Sequence, residues 1–186
     1  MNMKKGMTGG LILAIATLFM AVAPAGVNNG ESYYTRANIW YELPEKIYST
    51  NYHVGAILPI GSRVQIIKAG RDSVQFCDEK GVAYVIHYIA KHSTGTMDSF
   101  LSSTFSSENI LESEEYKQLS DTEKENISKG IVAAGMSKPA VLMAYGYPPS
   151  HRTQSTTLNT WVYWQNRFKT IAVNFGADGK ATSVTP

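Results

Sequence analysis

Four histidines, a single cysteine and a serine set just behind a glycine are the residues of this 186-residue chain best suited to act on a substrate or hold a metal. His53, His87, His92 and His151 include no i,i+4 pair, and no H-E-x-x-H motif occurs, so their spacing predicts no metal site. Cys77 could act as a nucleophile only with a base in hydrogen-bond reach. The turn expected at Asp78–Gly81 sets Cys77 opposite about Val82, with His87 several residues further along. Ser137, in Gly135-Met-Ser-Lys-Pro139, resembles a nucleophile elbow only superficially, because Pro139 stands where glycine is needed and no apolar strand precedes it. Helix capping accounts for that serine. The sequence has no phosphate-cradling G-x-x-x-x-G-K and no G-x-G-x-x-G, and Glu114 and Glu115 read as a solvated helix face. The expectation is a protein without catalytic residues, metal or cofactor.

Aromatic and cationic residues carry the alternative chemistry, which is binding. In Thr160–Trp164, Trp161 and Tyr163 share one strand face while Val162 and Trp164 share the other. If the first pair packs inward, Trp164 stays open, with Tyr147, His151, Arg152 and Arg167 as neighbours. Exposed aromatics beside arginine are frequent anchors for a protein partner. A second aromatic set, Trp40, Tyr48 and Tyr52, lies in or near a long loop and is the candidate surface for cell-wall polymer.

The start of the chain bears on where such binding would occur. Lys4 and Lys5 precede an apolar run, Leu11 to Ala23, and Ala23-Pro24-Ala25 offers a small-residue cleavage site. This is the layout of a secretory signal peptide over residues 1–25. The run is short of the roughly 20 apolar residues of a membrane span. An uncleaved N-terminal anchor is the alternative. No cysteine comes just after the run, Cys77 being the only one, so no lipid attachment is expected. The predicted compartment is the periplasm. Without Lys4 and Lys5 the chain has 15 basic and 15 acidic residues, a balance that argues against a nucleic-acid partner.

Two halves must position these residues. Over residues 30–92, short alternating runs predict strands: Tyr33 to Trp40, Gly55 to Gly61, Arg63 to Lys68, Ser73 to Cys77 and Val82 to Tyr88. Five such strands predict a small barrel. Residues 93–120 read as a helical linker, in which Phe100, Leu101 and Phe105 share a face and Ser107 caps a segment with Ile110 and Leu111. Over residues 121–186, Ser120 and Glu123 form a capping box for a helix reaching about Ala134 and stopped by Gly135. Ser137 caps the next helix, with Pro139 in its first turn and Gly146 at its end. Strands follow at Thr160–Trp164, Lys169–Phe175 and Lys180–Thr185, the last two joined by Asp178-Gly179. The fold class predicted is α+β: a small barrel, then two helices and a three-stranded antiparallel sheet.

Both halves resemble known families. Val54-Gly55-Ala-Ile-Leu-Pro-Ile-Gly61-Ser-Arg-Val64 is similar to the G-x-L-P-x-G-x-x-V segment of bacterial SH3-like domains, over about a third of the exported chain. That likeness implies a peptidoglycan or cell-wall ligand. Gly130 to Pro148, then Trp161-Val-Tyr163, Ile171-Ala-Val-Asn-Phe175 and Asp178-Gly-Lys180, resemble the SmpA/OmlA (BamE-like) family in order and spacing over about residues 121–185. Members of that family include a small lipoprotein of the outer-membrane β-barrel assembly machine. The resemblance implies an envelope-protein partner, a role in outer-membrane or envelope assembly, and peripheral association with the outer membrane. Related folds occur in secreted enzyme inhibitors that bind through the open sheet face, which gives a third expectation.

Overall fold

The computed structural model describes residues 26–93 and 95–186. The expected signal peptide, residues 1–25, lies outside the described residues. The chain is α+β. Its first half is a six-stranded sheet in the order β3-β7-β6-β5-β1-β8, built from Ile47–Tyr48 (β3), Ala83–His87 (β7), Ser73–Asp78 (β6), Arg63–Ala69 (β5), Ser32–Thr35 (β1) and Phe105–Ser106 (β8). Only the β3–β7 pair is parallel. Ile39–Tyr41 (β2) and Ala56–Leu58 (β4) form a separate antiparallel pair. Alternation explains the packing: Val64, Ile66, Val74, Phe76, Tyr84 and Ile86 all point into one core, and their strand neighbours face outward.

The residues expected as one strand, Tyr33 to Trp40, break into β1 and β2 around Asn38. The stretch 93–120 does more than link. Helix α1 (Met97–Thr104) and β8 complete the first half, with Leu101 and Phe105 buried in its core. Asn109, not Ser107, caps the turn at Ile110–Glu112, its side chain accepting from Leu111 N–H. That turn and the short helix α2 (Glu114–Lys117) lean on the second core through Ile110, Leu111 and Tyr116.

The second half is α3 (Asp121–Lys129), α4 (Lys138–Tyr145) and the sheet β11-β10-β9, formed by Ala181–Thr185, Thr170–Phe175 and Thr160–Trp164. Among the described residues no helix is long and apolar enough to cross a membrane. The expected caps form. Glu123 accepts from Ser120 N–H and Oγ–H with one carboxylate oxygen and from Ser137 N–H and Oγ–H with the other, so one carboxylate joins the starts of α3 and α4. Burial pushes that carboxyl up, but the Ser137 and Ser120 hydrogen bonds outweigh it and hold it at about 2. Helix α3 ends earlier than expected, at Gly130 instead of Gly135. Gly130 takes the left-handed conformation, and a Cβ there would lie 2.5 Å from Trp40 Cζ2. The approach of Trp40 therefore fixes the stop.

The end of α4 joins the halves. A helix leaves its last four carbonyls without intrahelical partners. Leu142 O accepts from Gly146 N–H, but the other three are met from the first half. Met143 O accepts from Asn38 N–H at 3.0 Å. Ala144 O accepts from Asn38 Nδ2 at 3.2 Å, and Tyr145 O from Asn51 Nδ2 at 2.8 Å and His53 Nε2 at 3.0 Å. Asn38 also donates to Ile127 O in α3 and accepts from Ile60 N–H, so all its polar atoms are engaged. Asn51 reaches its place in a left-handed conformation, φ 48°, which asparagine tolerates better than most residues.

Candidate functional site

The β9–β10 pair presents the surface. Trp161 and Tyr163 are buried, so the pleat turns Trp164 to the opposite face, where it is half-buried. The edge of β9 is covered: Thr153 Oγ1 accepts from Val162 N–H at 2.9 Å, and Trp164 O accepts from His53 N–H at 3.1 Å. The backbone under Trp164 is thus held by the loop after α4 and by the first half.

His151 and Arg152 come from that same loop. The His151 ring stacks on Trp164 at 6.2 Å and 17°, and the Arg152 guanidinium lies 5.1 Å from its centroid. A guanidinium against an indole gains a cation–π contact while its in-plane N–H groups stay free. His151 Nδ1 donates to His92 O at 3.0 Å, and the two imidazoles are 4.4 Å apart, one from each half. Partial burial, then the nearby His151 and Lys91, pull His92 below the ordinary histidine value. Arg167 is not brought to Trp164. It lies at the tip of the β9–β10 hairpin, over Phe168 at 4.5 Å, and Phe168 is 76% exposed. The loop is set by Asn166, whose side-chain oxygen accepts from both Phe168 and Lys169 N–H.

Tyr147 is 52% exposed and lines a groove of about 410 Å³ between the halves. Tyr48, Tyr88 and Phe100 face it from the first half, Pro148 and Pro149 from the second, and His92 stands on its border with the Trp164 cluster. Among the described residues no Asp, Glu, Lys or Arg lines it. Many of its hydroxyls are occupied: Thr104 Oγ1 and Ser103 Oγ donate to Phe100 O, and Thr153 Oγ1 serves β9. Of the second candidate set, Tyr48 packs against Tyr52 at 6.0 Å. Trp40 departs from that set. Its indole lies against His53 at 5.5 Å and Tyr145 at 6.5 Å in the second core, with Nε1 buried.

The residues with catalytic potential stay apart. Cys77 pairs with Ala83 and His87 with Ser73, at opposite ends of the β6–β7 ladder. His53 is buried: Nε2 carries the proton given to Tyr145 O, Nδ1 has no partner among the described residues, and burial pulls the group down to about 4 against the opposing effect of that hydrogen bond. Ser137 is engaged as a cap. Among the described residues no three His, Cys, Asp or Glu gather closely enough to hold a metal ion.

The sequence reading missed His92, Phe168 and the charge pattern behind them. Residues 26–107 hold seven acids and seven bases, 108–125 seven acids and two bases, and 126–186 one acid and six bases. From Asn126 to Ala177 there is no carboxylate at all. Counting charge by segment finds this; a whole-chain balance near zero hides it. The chain matches no family model, no curated protein and no solved structure.

Proposed function

We propose that this chain is an exported, non-enzymatic binding protein of a Gram-negative-type envelope, acting in the periplasm as an adaptor for another envelope protein. The observation that carries the reading is the Trp164 cluster: an aromatic surface residue stacked with Arg152 and His151, seated on backbone held from both halves. Preorganised aromatic and arginine anchors of this kind dominate protein interfaces. The two-helix, three-strand order of the second half supports the BamE-like assignment, and the short-stranded first half the SH3-like one. A role in outer-membrane assembly, with peripheral membrane association, follows from the first assignment by analogy alone.

One observation favours a second reading, a peptidoglycan-binding module. The groove, with no Asp, Glu, Lys or Arg among its described lining residues, has Tyr48 from the first half and Tyr147 from the second in its wall, and its size suits a small ligand. The two readings separate in one experiment. Tagged protein is incubated in parallel with solubilised envelope proteins and with purified sacculi, using wild type and Trp164→Ala. The adaptor reading expects saturable capture of one envelope protein that falls at least about tenfold in the variant, with the thermal midpoint nearly unchanged. Retention on sacculi that ignores the substitution refutes it in favour of the groove.

A further inference from the structure

Apart from Lys129, which pairs with Glu125, the cations of the basic segment are not neutralised by the acidic one. Of the ion pairs among the described residues, Lys117–Glu114 and Lys129–Glu125 are local helix pairs and Arg63–Glu79 lies in the first half. Lys138 is consumed by the carbonyls of Thr156, Thr157 and Leu158. Arg152, Arg167 and Lys169 are exposed and meet no carboxylate. Both guanidiniums lie against aromatic rings instead, Arg152 on Trp164 and Arg167 on Phe168. A guanidinium held against a ring keeps N–H groups for a carboxylate, which an arginine fork can take through two parallel hydrogen bonds. Trp164, which carries the Arg152 stack, and Arg167 are three residues apart in sequence on one hairpin, whose strands are in register up to the Trp164–Thr170 pair, so both stacks belong to the β9–β10 hairpin, one on strand β9 and one at the tip.

We propose that the Arg152–Trp164 and Arg167–Phe168 stacks form one docking face for an acidic segment of a partner protein, with an apolar side chain of that segment covering Phe168. This deepens the adaptor reading and rests on it. Charge complementarity selects the occupant: three unpaired cations in a stretch without carboxylates repel basic partners and attract acidic ones. A bilayer fits less well, because Phe168 is the one large apolar side chain standing out from this hairpin, and interfacial binding scales with buried apolar area. A nucleic acid would need a longer basic stripe.

The test titrates the full-length chain, followed by tryptophan fluorescence, with a ten-residue peptide of glutamates around one leucine and with its glutamine counterpart. Phosphatidylglycerol-containing vesicles are titrated separately. The acidic peptide is expected to bind at least about tenfold more tightly than the glutamine peptide, with affinity falling as salt is raised. Arg152→Gln and Arg167→Gln should each cost about tenfold, and Arg152→Lys several-fold, because a lysine keeps the charge and loses the fork. Equal binding of the two peptides, or indifference to both arginine variants, overturns the proposal. So does arginine-dependent vesicle binding without peptide binding, which makes the face a membrane contact. Arg152-dependent self-association without peptide binding overturns it too, in favour of the acidic 108–125 segment of a second copy. Failure here, while Trp164→Ala still abolishes envelope capture, removes the acidic partner and leaves the adaptor reading standing.

Discussion

Asn38→Ala should be the most damaging single truncation of a polar side chain in this protein. Asn38 is 1% exposed. Its side chain donates to Ile127 O at 2.7 Å and to Ala144 O at 3.2 Å, and accepts from Ile60 N–H at 2.9 Å. After truncation Ile127 O keeps its bond from Gly130 N–H, while the Ala144 carbonyl and the Ile60 amide lose their partners in a buried setting. An orphaned buried group costs about 1–3 kcal/mol, so two cost roughly 4 kcal/mol. That is a large fraction of the roughly 5–15 kcal/mol available to a folded domain. The midpoint of thermal unfolding should fall by roughly 10 °C. Urea titration followed by fluorescence and circular dichroism checks it, because Trp161 and Trp164 report on the second half while strand signal comes from both. A loss below about 1 kcal/mol would refute the reasoning, since the three hydrogen bonds would then be replaceable. Asn38→Asp sharpens the test. It retains the acceptor for Ile60 N–H but sets an oxygen against two carbonyls, and one carboxyl proton can satisfy only one of them. It should therefore be at least as destabilising as alanine at pH 7 and partly recover in acid.

Two further predictions concern the same junction. The folded state holds His53 at about 4, below the ordinary 6.5. Above pH 6.5 it is neutral folded or unfolded and contributes no pH dependence; between pH 6.5 and 4 the unfolded chain takes a proton that the folded chain refuses. Stability should therefore fall by up to about 3 kcal/mol over that window. Urea midpoints at pH 7 and pH 4.5 for wild type and His53→Gln should show a smaller acid loss in the variant, and equal losses would acquit His53. Gly130→Ala puts a Cβ on a left-handed residue and into the Trp40 ring. It should cost roughly 2–4 kcal/mol by strain and overpacking together, read as a shift in the urea midpoint.

What could be read from the chain beforehand was the local chemistry. Ser120, Glu123, Ser137 and Gly146 mark helix ends because a cap is settled within three or four residues. Trp161 and Tyr163 could be set on one face and Trp164 on the other because alternation along a strand is a property of the strand itself; which face packs inward was not local information. The errors share the opposite cause. Gly130 and Gly135 are equivalent as helix stops until Trp40, about ninety positions away, closes on one of them. Phe105 and Ser106 are too short a strand to announce itself, and only their pairing with β1 makes them one. Arg167 was expected beside Trp164 by closeness in sequence, but the hairpin tip turns it onto Phe168. Asn38 interrupts an otherwise β-prone run, and no local pattern says that its amide is needed at the end of a helix a hundred residues later.

That amide bears on how the candidate site works. The two resemblances suggest separable modules, yet three of the last four carbonyls of α4 are satisfied by Asn38, Asn51 and His53 of the first half. A fragment starting near residue 121 would leave those carbonyls without protein partners and lose the His53 N–H that holds Trp164 O. The loop after α4 supplies Tyr147, His151 and Arg152, and it leaves directly from this capped end. Its conformation therefore depends on the junction even though its side chains touch mostly the second half. A binding face built this way is stiff because its supports are non-local, and stiffness before contact lessens the ordering entropy that association must overcome. The first half thus acts on the Trp164 face through hydrogen bonds to backbone, as the positioning element for residues it barely touches.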